Sequence, residues 1–405
     1  MDIFNKPYYK TTKDFTTLIG RWPYMPRMRS LIIITLLWTV LILQAIPQII
    51  AMVMHSNDRE VVLEALSAFA VDCLLAAKYL NASYHAELIR NLFDRVQRDW
   101  KLLINDEEKR ILQYHSEIGK LLVTGYTAFL SASATVFIME PIVPRLYSFF
   151  SKSNASVPLR FALPLEYVIF EKENHYWLML AISNTFVAII IFGFISCDLI
   201  FITLLQHICG QFAVLGYRIE NTPTAEITTK NEKEKFLSYQ KIDQDVSYQH
   251  LVSCIQMHTR AIEFAELLEE CFAMTFGVVV GFNLPMISLT GFQIITQSNT
   301  VQQILKGLTF IGSQMLHLFF DCYMSQKLND SSSQILHSLA NVKWYNHSVE
   351  SQKLLLLMTV RSQKPCNLTA GTIMELSIEN YAIMVSQNSM LYSKSCGTIV
   401  WNNCR

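Results

Sequence analysis

Residues 31–54 read LIIITLLWTVLILQAIPQIIAMVM, twenty-four positions without a charged side chain. A helix needs ~20 apolar residues to cross the hydrocarbon of a bilayer, so this stretch can cross alone. It is too long for the core of a removable leader, and no small-residue cleavage site follows it. With the polar residues 1–30 ahead of it, it is expected to stay in the membrane as a first span kinked near Pro47. Six more apolar stretches follow, at 61–80, 118–143, 177–203, 270–295, 301–324 and 372–393. The expected fold class is an all-α membrane protein, residues 1–405 forming a single seven-helix transmembrane domain.

Charge is sorted across these spans. Lys and Arg number six in 1–30, six in 81–117, six in 204–269 and five in 325–371. The alternate segments carry one (55–60), four (144–176), none (296–300) and two (after 393). The bias of 23 against 7 predicts a cytoplasmic amino terminus and, after seven crossings, an extracellular carboxyl terminus. Lys78, Lys120 and Lys306 are left inside spans.

Composition fits a bilayer as partner: 51% of residues are hydrophobic and only 16% charged, against about a quarter in soluble domains. Zero net charge and the lack of a basic stripe interleaved with aromatics argue against nucleic acid. No cofactor is expected. A metal site is disfavoured, since there is no CxxC pair and His250 and His258 have no matching second pair. Of nine cysteines, only Cys396 and Cys404 fall on the expected outer side, where they could pair.

No repeat, low-complexity tract or soluble domain interrupts the chain. Leu251, Ile255, His258, Ile262, Ala265 and Leu268 recur at helical spacing and lead into the fifth span, and Leu88, Leu92, Val96 and Trp100 repeat the pattern over 87–100. Ordinary helix packing explains such stripes, but helices continuing below a membrane need something to pack on, and a subunit interface fits. The segments 204–269 and 325–371 are therefore expected to be helical extensions forming an anchor. Residues 220–250, rich in Thr, Lys, Glu and Asn, read as a mobile loop.

Short words in the chain carry a resemblance. Gly20-Arg21-Trp22-Pro23 resembles the G-x-W-P motif of insect odorant receptors. In order come Gln206-His207, Gln211-Phe212, Leu215-Gly216-Tyr217-Arg218, Cys254-Ile255-Gln256-Met257-His258 and Phe264-Ala265-Glu266. Gly312-Ser313-Gln314, Ser332, Ala340, Trp344-Tyr345, Arg361-Ser362-Gln363-Lys364-Pro365 and Leu368-Thr369-Ala370-Gly371 complete the set. The resemblance implies an odorant-gated, non-selective cation channel subunit rather than an enzyme. It implies a heterotetramer with a shared odorant co-receptor, volatile ligands bound between the second, third, fourth and sixth spans, and a pore lined by the seventh. The co-receptor is longer, with a larger second cytoplasmic loop, so this chain resembles a ligand-specific tuning subunit. The implied location is the plasma membrane, in dendrites of olfactory sensory neurons.

Depth in the spans then nominates ligand-binding residues for a small hydrophobic volatile: Phe69 and Asp72 on the second span, Ser131, Ala134, Phe137 and Ile138 on the third, Ser183, Phe186 and Val187 on the fourth, and Thr309 and Gly312 on the sixth. Span packing through small residues is the competing explanation for each. Of the intramembrane charges, Lys78 is expected to snorkel and Asp198 and Asp321 to be hydrated near inner ends, leaving Asp72 as the functional candidate.

In the pore helix, 372–400, Ser395 and Thr398 stand where the family has an apolar run, and Lys394 is an unexpected charge. Four Lys394 side chains would disfavour a cation pore, so the gate is expected to come mainly from co-receptor subunits. A gustatory receptor-like channel would share fold and orientation, and the motif words argue against it. A G-protein-coupled receptor conflicts with the charge bias and with the absence of D-R-Y after the third span and N-P-x-x-Y in the seventh.

The topology is testable. A tag after Arg405 should stain on intact cells, and one before Met1 only after permeabilisation. Glycan is expected, if anywhere, at Asn154 and not at Asn81, Asn329, Asn346 or Asn367; a glycan at Asn346 would invert the orientation.

Overall fold

Several of the long helices start where a side chain satisfies their first free amides. In the computed structural model, which describes residues 3–103, 105–151, 161–166, 172–223, 233–297 and 300–387, Asp58 Oδ1 accepts from the Glu60 amide at 3.0 Å. Asn105 Oδ1 accepts from the Glu107 amide at 3.0 Å, and Asp106, Glu107 and Glu108 complement the dipole of the same first turn. Thr300 and Gln303 make a reciprocal capping box.

The helices are α1 (Pro7–Leu18), α2 (Arg27–Met54), α3 (Arg59–Tyr84), α4 (Ala86–Leu102), α5 (Asp106–Met139), α6 (Val143–Phe150), α7 (Lys172–Glu220), α8 (Lys233–Gln297), α9 (Val301–Asn341) and α10 (Val349–Ser362). The end where α2 gives way to α3 is here the upper end, and the end where α3 gives way to α4 the lower. α7 is the central strut, packed on α5, α8 and α9, with every residue from 193 to 212 buried. That is why its sequence is apolar on all sides. Four described helices are long and apolar enough to cross a membrane: Arg27–Met54, Asp106–Met139, Asn174–Glu220 and Val246–Thr296. In α3 and α9 the polar residues dilute hydropathy, but Asp72, Lys78, His317 and Asp321 are turned inward and buried.

Two expectations need correction. Helix α8 begins at Lys233, so 233–250 is not loop; its Lys, Glu and Gln are polar but also good helix formers. Helix also does not begin at 372. Thr369–Ala370 and Met374–Glu375 pair as a two-stranded antiparallel hairpin, and described helix resumes over 378–387. Gly371 (φ 59°) and Thr372 (φ 62°) are left-handed, which ends any helical run there. α2 runs through Pro47, whose carbonyl accepts from the Glu166 amide at 3.2 Å. Lys394, Ser395, Thr398, Cys396, Cys404 and Asn154 lie outside the described residues.

The lower half is tied by polar contacts. Arg218 donates from Nε and Nη2 to Glu108 at 2.8 and 2.7 Å, His207 Nε2 lies 3.0 Å from Asp99, and Thr369 bonds Glu269. Gly20, at φ 74°, turns the chain so that Trp22 is buried against Phe4 and Phe93 at ring-centre distances of 5.2 and 5.3 Å.

The hairpin docks on α8 backbone to backbone. The Gly371 amide donates to Ala273 at 2.8 Å, and a Cβ on Gly277 would stand 3.1 Å from Gly371 Cα and N. Gly277→Ala should therefore destabilise by about 1–3 kcal/mol, as backbone cannot rotate away from overpacking. Gly281→Ala, one turn on and facing open space, should not lower stability. Thermal unfolding of the two purified variants makes the comparison; equal midpoints would refute it.

Candidate functional site

The same spacing repeats on two facing helices. Leu130, Ser133, Ala134 and Phe137 of α5 stand at i, i+3, i+4 and i+7, as do Phe310, Ser313, Gln314 and His317 of α9. With Val71 and Leu74 of α3 and Val187, Ile191 and Phe194 of α7, they line a partly open cavity of about 90 Å³, apolar except for Ser133, Ser313, Gln314 and His317. Above it lies a vestibule of about 340 Å³, bounded by the upper ends of α2, α3, α5, α8 and α9 and by residues 161–166. Phe137 and Phe310 line both spaces, their rings edge to face at 6.1 Å, and so form the partition between them.

Residues 161–166 are held over the vestibule. Lys306 donates to the Ala162 carbonyl at 2.8 Å and also bonds the Glu64 carboxylate. Gln303 donates to Glu60 at 2.7 Å, while Phe161 stacks on Tyr176 at 5.4 Å. Vestibule and cavity differ in chemistry. Glu60, Glu64, Glu140, Glu166 and Lys306 make the first polar, and the second presents mostly hydrocarbon.

Three of the expected ligand residues, Ala134, Phe137 and Val187, line the deep cavity. The others stand elsewhere. Ser131 is exposed, and Phe69, Ile138 and Phe186 are half-buried away from the cavity. Ser183 is buried but outside the lining. Thr309 turns its hydroxyl to the Leu305 carbonyl at 2.8 Å, and a Cβ on Gly312 would meet nothing within 4 Å. Asp72 is buried beside Gln48 of α2, with Gln44 one turn away, rather than in the cavity. On α9 the stripe that lines the cavity is displaced from the expected residues by one position, about 100° round the helix.

The floor of the cavity holds a buried polar cluster. Lys78 of α3 pairs with Asp198 of α7, whose other oxygen accepts from Tyr126 of α5 at 2.5 Å. Lys78 Nζ lies 2.8 Å from His317 Nε2 of α9 and 4.3 Å from the centre of the Phe194 ring. His317 Nδ1 lies 3.1 Å from the side-chain Nδ2 of Asn283 on α8. Asp321 Oδ2 stands 3.8 Å from His317. Lys78 therefore does not snorkel, and Asp198 and Asp321 are not hydrated: all three are at least nine-tenths buried. Each was polar enough to notice singly; the missed signal was that one Lys, two Asp and a His occupy neighbouring spans at the same lower level.

The structure thus places a mostly apolar cavity within a bundle that contains four helices of membrane-crossing length. The sequence profile of the 7tm odorant receptor family matches residues 59–387, and the chain belongs to that family. Among its relatives, Odorant receptor 67c of Drosophila melanogaster is 21% identical over 201 residues, 50% of this chain and 46% of the relative. Odorant receptor 63a of the same fly is 21% identical over 265 residues, 64% and 59% of the two chains. The chain spans about half the length of the curated relatives it matches. The olfactory receptor OR5 from Machilis hrabei, solved in complex with eugenol, superposes with a TM-score of 0.75 at 12% identity, covering 94% of this chain and 95% of that one. This likeness is one of fold.

The cluster makes a stability prediction. Lys78→Met strands a buried carboxylate and should cost about 3–5 kcal/mol, whereas adding Asp198→Asn should recover part of the loss because the amide can still accept from Tyr126. A double-mutant cycle on thermal unfolding in detergent reads the coupling. Additive losses would mean the pair contributes nothing jointly.

Proposed function

We propose that this chain is an odorant-gated, non-selective cation-channel subunit of the tuning kind, taking a small hydrophobic volatile between α3, α5, α7 and α9. The observation that carries this is the apolar cavity behind the Phe137–Phe310 partition. At about 90 Å³ it holds roughly three waters' share of volume, less than the ~300 Å³ at which ligand pockets begin. A ligand of several carbons thus displaces the partition and draws on the vestibule, so entry is coupled to movement of α5 against α9. The upper end is extracellular in this proposal, in keeping with the charge bias. The subunit works beside the odorant co-receptor in a heterotetramer at the plasma membrane of sensory dendrites. The helices below the cavity serve as the anchor, and the segment containing Lys394, Ser395 and Thr398 contributes to a pore gated mainly by the partner.

The test is a current ratio within one cell expressing both subunits. Ala134 is nine-tenths buried in the cavity wall, so Ala134→Phe fills the space and should reduce the response to the best volatile. Selectivity along a homologous odorant series should shift too, since one methylene in such a pocket is worth about 1–3 kcal/mol. Current evoked by an agonist of the co-receptor should persist. A parallel fall in both currents would show that Ala134 serves packing or trafficking, and odour-evoked current from this chain alone would overturn the role of the partner.

A further inference from the structure

A second cleft, of about 110 Å³, opens at the lower end between α4, α7 and α8, far from the ligand cavity. Its charged lining is Arg95 and Arg98 with Asp99 on α4, Arg218 on α7, and Arg260 and Glu263 on α8. Most of these are committed. Arg95 pairs with Glu263 at 3.4 Å, Arg218 is held by Glu108, and Asp99 lies against His207. Arg98 and Arg260 are exposed and make no salt bridge among the described residues. Behind them is Gln211, 5% exposed, which lines the cleft while its Nε2 has no hydrogen-bond partner.

A buried amide donor left unmade costs free energy comparable to a lost hydrogen bond, and two uncompensated guanidiniums at one cleft repel each other. One ligand relieves both: an acceptor-only anion with two negative charges. Guanidinium forks match phosphate oxygens, and donors arriving from three helices suit a tetrahedral oxyanion better than a planar carboxylate. We propose that this cleft binds a phosphate group, with Arg98 and Arg260 taking its charge and the Gln211 amide donating from behind. Such a group could be the phosphorylated headgroup of a lipid or a soluble phosphate. Either way it would bridge α4, α7 and α8 just beneath the spans.

The experiment uses the purified full chain, with three probes: inorganic phosphate, inositol 1,4,5-trisphosphate, and phosphatidylcholine nanodiscs containing phosphatidylinositol 4,5-bisphosphate or, at matched charge, phosphatidylserine. Binding to the native state should raise the unfolding midpoint saturably. Arg98→Gln/Arg260→Gln should weaken the apparent affinity about tenfold or more, and Gln211→Leu severalfold, while Arg27→Gln/Arg29→Gln should leave it unchanged. Arg260→Gln alone, an exposed change that spares the fold, should weaken it at least threefold and stands in should the double variant fail to fold. A shift confined to the bisphosphate lipid identifies a headgroup. Equal binding of the soluble probes with no gain from lipid identifies a free phosphate. No shift with any probe, or a double variant that responds like the wild type, overturns the proposal.

Discussion

An ammonium and a carboxylate buried between membrane helices each cost several kcal/mol in lost hydration, so they persist only where mutual attraction and further hydrogen bonds offset that cost. Around Lys78 and Asp198 the groups come from five helices: α3 supplies Lys78, α5 Tyr126, α7 Asp198, α8 Asn283 and α9 His317. Sliding any one helix by a turn would move its group ~5.4 Å and strand a buried charge. The cluster therefore fixes the axial register of the bundle. It gives the cavity above it a floor whose position is set by hydrogen-bond lengths rather than by apolar packing, which tolerates small shifts. The phenyl ring of Phe194 belongs to both, lining the cavity and lying over Lys78.

The long helices through 324 were legible because a bilayer demands a minimum length of apolar chain, and that demand is local. Which face of a span looks inward was not. In water the buried face of a helix is the apolar one, but in lipid both faces are apolar. Ser131 and Ser133 look alike in sequence, yet Ser131 is exposed and Ser133 lines the cavity. Thr309 and Gly312 miss the stripe of Phe310 and Ser313 by one position for the same reason. Ala134, Phe137 and Val187, chosen for their depth in the spans, do line the cavity. The charges were misjudged differently: taken one at a time, Lys78, Asp198 and Asp321 each had a plausible route to water, and only the tertiary arrangement makes them partners.

The motif words that carry the family resemblance sit mostly away from the cavity, and their contacts explain why. Gly20 and Trp22 close the turn from α1 into α2, His207 meets Asp99, Arg218 clasps Glu108, and the Ser332 hydroxyl accepts from the Cys366 amide at 2.9 Å. The last three tie sequence-distant elements through a polar contact, and the first pair through a left-handed turn and aromatic packing. Ser313 and Gln314 are the exceptions, standing in both a family word and the cavity wall. The lower scaffold is thus strongly specified, and most of the cavity lining, being apolar, is weakly specified. A fold held that way can change the ligand it accepts without changing how it assembles.

The partition shows how such a site can be both divided and responsive. An edge-to-face aromatic pair is worth about 0.5–1.5 kcal/mol beyond its buried area, a small barrier beside the binding free energy of even a modest ligand. Rotation of Phe137 and Phe310 would join the two spaces at little cost while the floor, fixed by paired charges, stays in place. A ligand that goes deeper presses on Phe194 and His317, side chains in contact with Lys78. In the proposed function the upper half of the site therefore yields and the lower half resists, so the work done by the ligand falls on the relative positions of α5, α7 and α9. Those three helices run unbroken to the lower end, where the described polar ties could carry the displacement to neighbouring elements.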